Sequence, residues 1–328
     1  MNSLIFAFNS ISPIILTIVV GYILKKIGMM DKNFSQKANK LVFRVFLPAM
    51  LFLNIYGIES ISSVSLGYVV YAIITLLIIF GLAIPTIILL TKEKSRRGAL
   101  LQGVFRSNYA LIGIPLATTL FPDNGAAIAT LLSAFMVPAF NILAVIGLSV
   151  FSGTGEKTNF KKVFLGIAKN PLILSISAGL VALGIRASFI HFGITFRLSS
   201  VTALWTTLKY LSNIATPLSL LVLGAQFEFS AIPSLKREIV SGIILRSIAV
   251  PILGIGVAYL FFKNSFGGAQ FAALVAAFCT PVAVSSVPMA QEMGADTELA
   301  GQLVVFTTLT SAFTVFIVSF LLKLAGIF

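Results

Sequence analysis

Apolar runs of about twenty residues follow one another along the chain, at approximately 9–25, 38–57, 66–91, 98–121, 126–151, 163–185, 204–225, 237–262, 268–290 and 298–325. Each is long enough to cross ~30 Å of hydrocarbon as an α-helix, and hydrocarbon admits only segments whose backbone groups are bonded internally. The sequence therefore predicts an all-α polytopic membrane protein with ten transmembrane helices, and the same run lengths exclude a barrel. Composition agrees: of 328 residues, 58% are hydrophobic and 10% charged, where a soluble domain carries roughly 25% charged residues. The first run has no basic residue ahead of it and is followed by Lys25 and Lys26, so it reads as a span and not as a cleaved leader. "GTGEKT" at 153–158 lacks the glycine spacing of a phosphate loop and reads as a polar linker. The single cysteine, Cys279, allows no disulfide within the chain.

A net charge of +13 suggests nucleic acid until its distribution is considered. Lys25, Lys26, Lys32, Lys37, Lys40 and Arg44 flank the first loop and Lys92, Lys94, Arg96 and Arg97 the third. Lys157, Lys161, Lys162 and Lys169 mark the fifth, and Lys236 and Arg237 the seventh. The even loops and the C-terminal end carry only Arg186, Arg197, Lys263 and Lys323. This alternation follows the positive-inside rule and places both termini outside the cytoplasm. The ninth loop is acidic through Glu292, Asp296 and Glu298, which has little bearing on orientation. The basic loops are thus topology signals and lipid-headgroup contacts; no nucleic-acid partner is expected. The expected location is the plasma membrane, in bacteria the inner membrane.

An internal repeat is visible. Pro13 and Gly21 in span one, and Pro171 and Gly179 in span six, are both eight apart. Pro48 precedes Glu59, and Pro217 precedes Glu228, by eleven; Pro115 precedes Asp123, and Pro288 precedes Asp296, by eight. Five spans in each half require the second half to enter from the opposite face, so residues 1–152 and 160–328 read as two inverted repeats, an architecture of secondary transporters. Both repeats carry a disturbed fourth helix: "NYALIGIPL" places Gly113 and Pro115 in the fourth span, and "CTPVAVSSVP" places Pro281 and Pro288 in the ninth. Proline removes a backbone donor and crowds the carbonyl four residues earlier, so the fourth span is expected to open around residues 109–115. Broken helices in corresponding positions point to a transport site near the midplane, where two half-helix N-termini favour an anion. Pro13, Pro85, Pro138, Pro171 and Pro251 read as simple kinks.

"NYALIGIPL", with Asn108 seven before Pro115, together with "LPAMLF" in span two and "MAQEMGAD" after the ninth-span break, resembles the auxin efflux carrier family, which includes plant auxin exporters and bacterial organic-acid permeases. The resemblance implies a scaffold of spans 1, 2, 6 and 7, usually dimeric, and a mobile transport unit of spans 3–5 and 8–10 with crossed helices 4 and 9, a fold related to the bile-acid sodium symporters. It also implies that Asn108 is a substrate-contacting amide and that Pro115 and Pro281 mark the crossover. Tyr109, Asn141, Thr280, Ser285 and Ser286 join the substrate-binding candidates. The large central cytoplasmic loop of the plant proteins is absent here, so regulation through it is not expected.

The span centres hold no acid, so a proton-carrying carboxylate dyad is not expected. Sodium held by backbone carbonyls and the hydroxyls of Thr280, Ser285 and Ser286 stays open. Embedded base is present in Arg106 and Arg246, each costing roughly 2.5–3.5 kcal/mol to insert. Arg106 is a candidate partner for a carboxylate; the alternatives are snorkelling to the cytoplasmic surface or pairing with a backbone carbonyl. Arg246 reads as structural, His191 as an unremarkable outside-loop residue, and Trp205 and Tyr210 as interfacial anchors. One histidine and no G-x-S-x-G elbow argue against an enzyme, and no cofactor is expected. The function expected is a carrier for a small organic carboxylate such as malonate or malate, working by elevator-like alternating access. A sodium-coupled organic-anion symporter is the alternative, and a channel a third class that saturable, exchangeable flux would exclude.

Overall fold

A computed structural model describes residues 2–57, 66–122, 124–151, 165 and 168–328. Glu59, Asp123, Lys157, Lys161, Lys162 and the 153–158 linker lie outside these residues. The elements are α1 (Asn2–Lys26), α2 (Lys32–Leu41), α3 (Leu47–Tyr56), α4 (Leu66–Leu90), α5 (Lys94–Phe105), α6 (Ile114–Leu120), α7 (Gly125–Phe151), α8 (Pro171–His191), α9 (Thr202–Gln226), α10 (Ile232–Ile244), α11 (Val257–Phe262), α12 (Gly268–Phe278), α13 (Ser286–Glu292) and α14 (Thr297–Leu324). Among the described residues, seven continuous helical stretches are long and apolar enough to cross a membrane: Lys32–Tyr56, Gly67–Leu90, Gly125–Phe151, Pro171–His191, Thr202–Gln226, Phe229–Phe262 and Thr297–Leu324. The interrupted segments contribute two shorter apolar helices, Tyr109–Leu120 and Gly268–Phe278. Among the described residues there is no strand, only one isolated bridge between Ser107 and Val282. The expected all-α, multi-span class is therefore what the chain adopts.

The boundaries shift where caps and prolines act. The stretch expected at 163–185 starts instead at Pro171 and runs to His191, because the side chain of Asn170 accepts from the N–H of Leu172 and caps the helix. Pro171 then occupies the first turn, where its missing donor costs nothing, so it is not a kink. The stretch expected at 38–57 starts at Lys32, capped by Asp31.

Pro115 does not open its helix where expected. In an α-helix its ring would crowd the carbonyl of Leu111. The chain instead widens into a π turn over Tyr109–Gly113, in which Gly113 and Ile114 bond five residues back, to the carbonyls of Asn108 and Tyr109. The same device precedes Pro48, over Val42–Phe46, and Pro251, over Leu245–Ala249; each π turn ends two residues before its proline. A widened turn makes room for the ring without ending the helix. The true opening lies earlier, at Arg106–Asn108, where Arg106 is extended (φ −85°, ψ 118°). Gly113 is needed for a different reason, since a Cβ there would come within 3.0 Å of the carbonyl oxygen of Ala276 in α12.

α1 packs along α9, and α3 along α8 and α9, while α12 lies against α6 and α7, and α5 against α4, α7 and α14. Little hydrophobic force separates helix from lipid inside a bilayer, so close packing of small residues brings helices together. Gly21 of α1 lies so near α9 that a Cβ would be driven into the backbone of Leu221. Gly21→Ala should therefore destabilise the protein by roughly 1–3 kcal/mol through overpacking. Gly81→Ala, at a position with open space around it, should leave the melting temperature in detergent unchanged or slightly raised, since alanine favours the helix. Equal melting temperatures for both variants would refute the α1–α9 contact.

Candidate functional site

The two interrupted segments meet at their breaks. Asn108 N–H donates to the carbonyl of Pro281 at 2.8 Å, Ser107 bridges Val282 in antiparallel fashion, and Val282 N–H donates to Thr307 Oγ1 at 3.1 Å. The Thr280 hydroxyl lies 2.5 Å from Ser107 Oγ and 2.8 Å from the carbonyl of Ala276. Arg246, only 2% exposed, completes the arrangement. Its Nε and Nη2 both donate to the carbonyl of Thr280, at 2.9 and 2.5 Å, and its Nη1 to those of Val104 and Phe105, at 3.2 and 3.4 Å. One guanidinium thus serves the carbonyls left open where α5 and α12 end, and its charge suits the negative ends of both helices. The structural role expected of Arg246 has this physical content.

Beside the crossing lies a cavity of about 210 Å³. The breaks contribute Asn108 and Ser285 to it; the facing wall contributes Asn54 from α3 and Thr216 and Ser219 from α9, between apolar side chains such as Met50. Asn108 is 9% exposed, and its side-chain amide makes no hydrogen bond among the described residues, so both donor and acceptor are available to a ligand. No charged residue lines the cavity.

Arg106 sits directly behind it and is 2% exposed. Nη1 donates to Gln102 Oε1 (2.8 Å), Ser286 Oγ (3.3 Å) and Met289 Sδ (2.8 Å); Nη2 donates to Asn141 Oδ1 and Ser285 Oγ, both at 2.8 Å. Arg106 neither snorkels nor pairs with a backbone carbonyl. It gathers α5, α7 and α13 around one cation whose partners are all neutral. Because an arginine can only donate, Ser285 must accept from it, and the Ser285 hydroxyl proton is left to donate elsewhere.

The structure thus brings Arg106, Asn108, Asn141, Ser285 and Ser286 together around the first part of α13. Thr280 and Pro281 form the crossing itself, buried away from the cavity. Tyr109 is turned aside: its hydroxyl donates to the carbonyl of Ala129 at 2.9 Å. Pro115 stands in the first turn of α6 and Pro288 in that of α13, each beyond its break. Asn54, Thr216, Ser219 and Gln102 were not among the sequence candidates. Isolated polar residues in apolar spans are too common to single out, and only the helix register shows which face the crossing.

Helices that cross a bilayer in number, two of them interrupted at one crossing beside a cavity in which a few polar groups converge among apolar ones, define an integral membrane protein of the transport class. The chain matches the family described as "Membrane transport protein" over residues 6–319, and it belongs to that family, the auxin efflux carriers. It is also 23% identical over 312 residues to an "Uncharacterized transporter" of Methanothermobacter thermautotrophicus, covering 92% of this chain and 94% of that protein.

Arg246→Met should remove the partner of three buried carbonyls, each costing ~1–3 kcal/mol when orphaned. A large fall in thermal stability in detergent is expected, against no measurable change for Arg237→Met, whose side chain is exposed. A stable Arg246→Met protein would show that the open carbonyls find other partners.

Proposed function

We propose that the protein is a secondary-type carrier that moves a small organic carboxylate across the plasma membrane by elevator-like alternating access. In this reading ten passes form two inverted repeats, residues 1–152 and 160–328, with both termini outside. Spans 1, 2, 6 and 7 make a dimeric scaffold, against which a unit of spans 3–5 and 8–10 moves. The observation that carries the reading is the cavity in which the unbonded amide of Asn108 and the donor-poised hydroxyl of Ser285, backed by the buried Arg106 cation, face α3 and α9 across the boundary of these two units. Packing supports the repeat: the matched glycines Gly21 and Gly179 each approach a helix of the other half closely, Gly21 that of Leu221 and Gly179 that of Ile55.

The ligand chemistry follows from the charge. A cation with only neutral partners, next to a cavity lined by hydroxyls and amides and no acid, favours an anion. Sodium at Ser285 and Ser286 would lie beside the guanidinium that already occupies both oxygens, which weighs against the sodium-coupled alternative. A cell interior at negative potential would drive export of a net negative charge with ~2.3 kcal/mol per 100 mV and no coupling ion.

Asn108→Ala should weaken binding of an accepted acid, screened by thermal shift with malonate, malate and related acids, by roughly ten- to a hundredfold, since hydrogen bonds to a charged group contribute about 1.5–3 kcal/mol. Arg106→Gln should weaken it as well, and an imposed potential should change flux in proteoliposomes. Stabilisation by cations or neutral solutes alone, or flux that needs sodium and ignores potential, would sink the anion reading.

A further inference from the structure

Away from the cavity, three amides close the opposite end of the same boundary. Asn39 of α2 donates through Nδ2 to Gln226 Oε1 at 3.0 Å and to Gln291 Oε1 at 2.8 Å. Gln226 Nε2 adds a bond to Gln291 Oε1 at 3.2 Å, and Gln291 Nε2 donates to the carbonyl of Gln36 at 3.1 Å. Gln226 ends α9 and Gln291 lies near the end of α13, so the cluster joins two scaffold helices to the crossing helix of the moving unit.

It is displaced from the cavity in the same direction on three elements. Along Lys32–Tyr56, Asn39 precedes the cavity residue Asn54 by about four turns. On α9, Gln226 lies about two turns beyond Ser219. On α13, Gln291 lies beyond Ser285. Each displacement runs toward the connections that follow α1, α9 and α13; near them Lys25, in the last turn of α1, pairs with Glu228, and Arg44, in the π turn after α2, pairs with Glu292 at the end of α13. Those are exposed pairs of little energetic weight, whereas Asn39 is 0% exposed.

The cluster is also incompletely satisfied. Asn39 Oδ1 is buried without a hydrogen-bond partner among the described residues: the two hydrogens of Nδ2 serve the two glutamine oxygens, but no donor reaches the oxygen. A buried orphan acceptor is destabilising, so this closure is held by several bonds and opposed by a standing penalty. That is the energetic profile of a contact made and released, not of a permanent core.

We propose that Asn39, Gln226 and Gln291 form a latch that shuts the cavity off from the face bearing the first, seventh and ninth loops, and that opening it is the step which exposes the crossover to that face. The inference rests on the carrier reading above, and its test needs no substrate. In a Cys279→Ala background, Val284→Cys places one thiol in the wall of the cavity, and a membrane-impermeant maleimide is applied to oriented vesicles from either face. In Asn39→Asp, a near-isosteric change, a carboxylate faces two carbonyl oxygens in place of a donor. The labelling rate from the latch face should rise about tenfold or more relative to the parent at pH 8. Taken at each pH as a ratio to the parent, which cancels the pH dependence of the thiol itself, it should fall back as the pH is lowered and the neutral acid regains an O–H donor. Gln291→Leu, which removes the shared acceptor, should raise the same rate without the pH dependence. A parent labelled from both faces, with neither variant altering the latch-face rate, overturns the latch and leaves the carrier standing. A parent and variants never labelled from the latch face overturn the alternating-access reading itself.

Discussion

Peptide groups that leave a helix inside hydrocarbon have no water to turn to, and two segments of the chain do so at the same point here. The crossing is held by partners found for groups that the breaks open. Asn108 N–H reaches Pro281, Ser107 pairs with Val282, Val282 N–H reaches Thr307, and Arg246 collects three carbonyls. Interhelical hydrogen bonds in membranes are individually weak, on average about 0.6 kcal/mol, so the arrangement is held by their number and by the close approach that Gly113 permits. The rest of the bundle is built around keeping this one region covered.

The two buried arginines divide that region between them. Arg246 serves the ends of α5 and α12, where helix dipoles are negative and carbonyls open, so its charge is largely answered by backbone. Arg106 stands where both interrupted segments resume, among side-chain oxygens and a sulfur, with no carboxylate among its partners. At an effective dielectric constant near 20, an anion placed roughly 6 Å from it gains about 3 kcal/mol and a sodium ion loses as much. α13 has only seven residues, so the contribution of its dipole is small beside the side-chain cation.

Helical class, multiple spans and the two disturbed segments were legible in the sequence because hydrocarbon length and proline chemistry act locally. The exact opening was not. Proline signals a lost bond, but whether the helix ends or widens into a π turn depends on what packs beside it, and in the turn before Pro115 it is Gly113 that meets Ala276, far off in sequence. Arg106 was recognisable as embedded charge, yet its alternatives could be decided only by seeing Gln102, Asn141, Ser285, Ser286 and Met289 converge from three elements. Asn108 and Ser285 were named because they adjoin the breaks, while Asn54, Thr216 and Ser219 carry no such mark. Tyr109 shows the converse, a residue adjacent in sequence to the cavity whose hydroxyl is committed to Ala129.

The proposed latch and the proposed substrate contacts share one short element. Ser285 and Ser286, bonded to Arg106, begin the segment that carries Gln291 two turns later, and Ser286 to Ala290 between them are all buried. Two turns of helix packed on every side cannot bend to absorb a displacement at one end, so α13 moves as a unit or not at all. A ligand that draws Ser285 toward its carboxylate therefore acts on the bonds of Gln291 as well. A ligand can favour one state only by the difference in its affinity for the two, and here that difference would arise at Ser285 and be read out at Asn39 and Gln226 through a rigid rod, with no longer pathway required.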